Sequence, residues 1–135
     1  LSHSFAIPWQ NYRIGSISTS GKSQHDAIDL LEDVMTSSTL SIRLKHARLA
    51  AGLSQEELGI RIGLEPASAS TRMNRYELGK RIPAPELIER VAAELELPAA
   101  YFYAYRHDEA ELLERYFRLS DAGKARLMKF LQDLK

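Results

Sequence analysis

Ser54-Gln55-Glu56-Glu57-Leu58-Gly59-Ile60-Arg61-Ile62-Gly63, followed by Glu65-Pro66-Ala67-Ser68-Ala69-Ser70-Thr71-Arg72-Met73-Asn74-Arg75-Tyr76-Glu77-Leu78-Gly79, decides the fold. Ser54 and Glu57 have the spacing of a capping box, in which the hydroxyl takes the third N–H and the carboxylate reaches back. The helix they open carries Leu58 and Ile62 and stops at Gly63. Glu65-Pro66 suits a new start, because proline is tolerated in a first turn and its predecessor avoids the α region. The next helix runs to about Leu78, with Met73 and Tyr76 inward, and Gly79 closes it.

Outward from this pair, helices continue in both directions. Leu40, Leu44 and Ala47 repeat at i, i+4, i+7 and predict a helix from roughly Thr39 to Ala51, ended by Gly52. After Pro83 and Pro85, the residues Leu87, Ile88, Val91 and Leu95 mark a fourth helix, and Pro98 opens a short fifth through Tyr101-Phe102-Tyr103. A sixth covers Asp108–Leu119. Ser120 caps a last one with Leu127, Phe130, Leu131 and Leu134 on one stripe. No alternating pattern of useful length predicts a strand, so the expected class is all-α. Upstream, the Ser/Gly/Thr-rich run Gly15–Gly21 favours loop, while Ile28, Leu31 and Met35 allow a short helix over Ala27–Val34. Met35-Thr36-Ser37-Ser38 offers a start, so residues 1–36 are expected to be a flexible arm or leader. Residues 37–105 then form the main domain and 106–135 a helical extension.

The 135 residues contain 44% hydrophobic and 27% charged residues, an ordinary globular balance that excludes wholesale disorder. Lys+Arg and Asp+Glu are 18 each, which rules out a uniformly basic coat. The distribution is uneven: residues 37–81 hold eight Lys/Arg against four Asp/Glu, while each flank has a net charge of −2. Without cysteine there is no disulfide framework, thiolate metal site or cysteine nucleophile. The expected protein is cytoplasmic and makes no membrane contact: no apolar run approaches the ~18–20 residues of a bilayer span, and the first residues lack signal-peptide character.

Two short helices joined by a glycine-containing turn, the second rich in Ser, Thr, Asn and Arg, suggest a helix-turn-helix. Such a second helix must bury its inner face and present short polar and guanidinium groups to base edges. Ser70, Thr71, Arg72, Asn74 and Arg75 can point outward for that purpose. Arginine can bond both guanine acceptors, asparagine can pair bidentately with adenine, and threonine can touch a thymine methyl. The competing reading is a solvated polar face.

The run Leu44-Lys45-His46-Ala47-Arg48-Leu49-Ala50-Ala51-Gly52-Leu53-Ser54-Gln55-Glu56-Glu57-Leu58, with the later Glu77-Leu78-Gly79-Lys80-Arg81-Ile82-Pro83, resembles the Cro/C1 (Xre-type) family of helix-turn-helix transcriptional regulators. The likeness covers about Leu40 to Tyr103. It implies a lambda-repressor-like five-helix domain that binds double-stranded DNA, usually as a homodimer, and represses or activates transcription, repression being the expected role. By position it implies base contacts from Ser70, Thr71 and Arg75, with Arg72 and Asn74 close by. It implies backbone contacts from Arg43, Gln55, Lys80 and Arg81, and an architectural ion pair between Arg48 and Glu77.

One departure stands out. Gly63–Ser70 is about three residues longer than the usual tight turn, so the extra residues either lengthen the recognition helix or bulge as a loop. In either case Ser68 becomes a backbone-contact candidate. Gly59 inside the second helix suggests close packing against the third.

Other chemistry finds little support. His3, His25, His46 and His107 have no metal-ligand spacing, Glu109, Glu111 and Glu114 read as a solvated face, and there is no phosphate loop or nucleophile elbow. Neither an enzyme, a cofactor nor a metal is expected. The aromatic run from Tyr101 to Tyr105 suits a core or an oligomer contact better than base stacking. Leu127, Phe130, Leu131 and Leu134 are the expected dimer interface. The rival functional readings are an antitoxin of a toxin–antitoxin pair and a protein-interaction adaptor that does not bind DNA.

Overall fold

A computed structural model describes residues 39–134. The expected N-terminal arm, including the short helix over Ala27–Val34, lies outside the described residues. Every regular element among them is helical: α1 (39–50), α2 (Gln55–Arg61), α3 (Pro66–Glu77), α4 (Pro85–Leu95), a 3₁₀ turn (Ala99–Tyr103), α5 (His107–Arg118) and α6 (Asp121–Asp133).

The apolar spacings explain the core. Leu40, Leu44 and Ala47 of α1 pack with Leu58 and Ile62 of α2, Ala69, Met73 and Tyr76 of α3, and Leu87, Ile88, Val91 and Ala92 of α4. Phe102 is fully buried in the 3₁₀ turn, its ring edge-on to Tyr101 with centroids 5.3 Å apart, while Tyr103 and Tyr105 stay exposed. The aromatic run thus supplies core through two of its members. Ala110 of α5 is buried in the same core and Leu113 packs against it, whereas α6 has no buried residue. Ser120 caps α6 by accepting from the Gly123 N–H at 3.1 Å.

Arg43 corrects one expectation. It was expected to contact a DNA backbone, but it is 2% exposed and sits on the inner face of α1 between Leu40 and Leu44. Its Nε donates to the Ala104 carbonyl, and its Nη2 donates to the carbonyls of Tyr105 (3.3 Å) and Arg106 (3.1 Å). The guanidinium carbon also lies 5.5 Å from the Tyr101 ring centre. The side chain ties α1 to the segment that starts the extension by donating to the carbonyls that leave the 3₁₀ turn, of which that of Arg106 also accepts from the Ala110 N–H at 3.2 Å. Burial pulls its pKa below the usual arginine value. On the same helix, burial lowers the pKa of His46, helped by the neighbouring charges of Lys45 and Arg43.

Candidate nucleic-acid interface

The helical pair has the local geometry expected from its residues. The Glu57 N–H donates to Ser54 Oγ at 3.0 Å and the Ser54 N–H donates to Glu57 Oε2 at 2.7 Å, a complete capping box. The latter bond draws the Glu57 carboxyl below its ordinary pKa. At the other end of α2, Arg90 of α4 donates to the Ile62 carbonyl at 3.2 Å, where the helix has run out of partners of its own.

Only Ile62-Gly63-Leu64-Glu65 separates α2 from α3, with Gly63 at φ +90° and Pro66 in the first turn of the new helix. The three extra residues are therefore absorbed into α3 and do not bulge. The helices meet closely at Gly59, where a β-carbon would lie 2.8 Å from that of Ala69 and 3.2 Å from the Ala69 carbonyl oxygen. Glycine is what allows the two backbones to approach so closely.

The helical period sorts the faces of α3. Ala69, Met73, Tyr76 and Glu77 are buried, whereas Ala67, Ser70, Thr71, Asn74, Arg75 and Leu78 are all exposed. Their spacing of i, i+3, i+4, i+7, i+8 and i+11 makes one continuous outward stripe. Ser70, Thr71, Asn74 and Arg75 thus share a surface. Arg72 falls on the flank, half-buried, its Nη2 donating to the Tyr76 hydroxyl at 3.2 Å. Ser68 is also half-buried and bonds back to the Glu65 carbonyl at 3.4 Å.

Beyond α3 the Lys80 and Arg81 N–H groups both donate to the Arg75 carbonyl, at 2.9 and 3.3 Å. This turn fixes two exposed cations at the end of the stripe, beside Arg75.

Beneath the stripe lies a charged network. Arg48 of α1 donates to both Glu77 oxygens, from Nε at 2.5 Å and from Nη2 at 3.1 Å, and its Nη1 donates to the Leu53 carbonyl at 2.8 Å. Both partners are buried. The Gln55 amide is turned inward onto the network, donating to Glu77 Oε2 at 2.9 Å and to Asn74 Oδ1 at 3.3 Å. Both of its hydrogens are directed there. Sequence reasoning missed this amide link, since 19 positions separate Gln55 from Asn74.

A tight turn, a glycine-mediated helix crossing and a polar outward stripe define a helix-turn-helix protein. A helix-turn-helix domain family matches residues 39–100. The crystal structure of transcriptional regulator BswR is similar at 38% identity, with a TM-score of 0.66, covering 70% of this chain and 93% of that one. Among curated proteins no sequence matches. The chain belongs to the helix-turn-helix transcriptional regulators.

Proposed function

We propose that the chain is a sequence-specific repressor that lays α3 in the major groove of double-stranded DNA. The observation carrying this reading is the stripe of Ser70, Thr71, Asn74 and Arg75, whose side chains match the hydrogen-bonding and methyl pattern of major-groove base edges. Lys80 and Arg81, together with the Gln55 main-chain N–H, hold the phosphates on either side. Arg72 and Ser68 serve the flanks.

The repressor acts as a homodimer. Phe130, Leu131 and Leu134 of α6 are 61, 44 and 58% exposed, Leu127 is half-buried, and α5 adds exposed Leu112 and Phe117. An apolar surface on two short helices favours association. Paired half-sites then lie about 34 Å apart.

Selection from a random duplex pool tests the DNA reading. Enrichment of one motif whose binding falls steeply with salt is expected, because phosphate contacts release counterions. A pool that never converges, or binding indifferent to salt, refutes it. Sedimentation tests the pairing, and a monomer at high concentration refutes it.

A further inference from the structure

We infer that Ala67 is a base-reading residue, which holds the 5-methyl group of a thymine in the major groove. The inference rests on the DNA reading above and deepens it. Its starting point is where α3 begins. The helix opens at Pro66, which places one turn, Pro66–Ala69, ahead of Ser70. In a recognition helix of this motif the N-terminal residues are those that meet base edges.

Within that turn the four side chains divide. Ala69 is buried, and Ser68 is half-buried with its hydroxyl bonded back to the Glu65 carbonyl. Pro66 stands seven residues before the buried Met73 and so belongs to the inner side of the helix. Ala67 is exposed and lies on the stripe, with Ser70, Thr71 and Asn74 following at i+3, i+4 and i+7. A surface that brings those three to base edges brings Ala67 with it.

The stripe is also graded in reach. Ala67, Ser70 and Thr71 at its N-terminal end are short, whereas Asn74, Arg75 and Leu78 further along are longer. A helix that enters the groove by its N-terminal end needs that order, because its first turn comes closest to the bases. The Ala67 side chain is a single methyl group with neither donor nor acceptor. The apolar feature that base edges show in the major groove is the thymine methyl, so thymine is the base Ala67 can select. Such a contact works only at van der Waals range, about 4 Å between carbons, and a side chain this small lets the helix come that near. Thr71, its neighbour one turn on, sets a second methyl group beside it.

The test alters the duplex one methyl group at a time. Selection with the full chain supplies the preferred site, and each thymine in it is replaced singly by deoxyuridine, which deletes the 5-methyl group and keeps every hydrogen bond. At the Ala67 position this is expected to weaken wild-type binding roughly fourfold, the worth of one buried methyl group. With Ala67→Gly the thymine and deoxyuridine duplexes should bind equally there. Any loss that glycine causes by loosening the exposed first turn falls on both duplexes alike and cancels in the ratio. A preferred site without thymine, deoxyuridine tolerated by the wild type at every thymine, or a ratio that Ala67→Gly leaves unchanged overturns the inference while the DNA reading stands. So does a ratio kept in Ala67→Gly and lost in Thr71→Ser, which assigns the methyl group to Thr71. Failure of the wild-type chain to retain any duplex overturns both.

Discussion

Arg48 and Glu77, 29 positions apart in the chain, close a two-pronged ion pair that fastens the first helix to the third. Both side chains are nearly sealed from water, at 9 and 2% exposure. Glu77→Leu strands the guanidinium and is expected to cost about 3–5 kcal/mol, because an unpaired buried charge is not offset by solvent. Chemical denaturation gives the number. A loss below 1 kcal/mol means that water reaches Arg48.

At Gly59 the expected effect of alanine runs against helix propensity. Alanine ordinarily gains up to about 1 kcal/mol over glycine inside a helix. Here the added carbon meets the Ala69 β-carbon at 2.8 Å and its carbonyl oxygen at 3.2 Å, and neither belongs to a flexible side chain. Gly59→Ala should therefore destabilise by about 1–3 kcal/mol. A raised melting temperature counts against this crossing.

Arg43→Met separates the observed role of this residue from the one expected at first. Loss of the donors to the Ala104, Tyr105 and Arg106 carbonyls should cost about 2–3 kcal/mol. DNA affinity of the folded fraction should not change. Reduced affinity with unaltered stability would restore a phosphate-contacting role.

Glu96 closes α4 at φ +54°, the sole non-glycine residue with positive φ among those described. A left-handed residue with a β-carbon is strained by about 1–2 kcal/mol, part of which glycine returns as unfolded-state entropy. Glu96→Gly should raise stability by roughly 0.5–1 kcal/mol. Thermal melting decides the sign.

Arg75→Ala and Lys80→Ala should differ in kind. The first is expected to cost about 1–3 kcal/mol and relax base preference, while the second weakens every duplex alike and flattens the salt dependence. Competition binding with specific and scrambled duplexes distinguishes them. Identical profiles for the two variants would remove Arg75 from the base edges.

Most of the helices could be read from punctuation and period. Ser54 with Glu57 announces α2, and Met73 with Tyr76 orients α3, because capping and burial are local properties of the chain. Three features were not legible for physical reasons. Pro66 suits a helix start and a loop equally, so only tertiary packing at Gly59 and Ala69 decides where the added residues go. Arg43 is charged, which suggests solvent, although its place three residues after Leu40 and one before Leu44 belongs to the inner face. That spacing was the available signal. The amide link from Gln55 to Asn74 joins two elements whose approach no sequence period encodes.

The grip of Arg43 on three successive carbonyls means that a side chain of the first helix dictates the direction in which α5 sets out from the core.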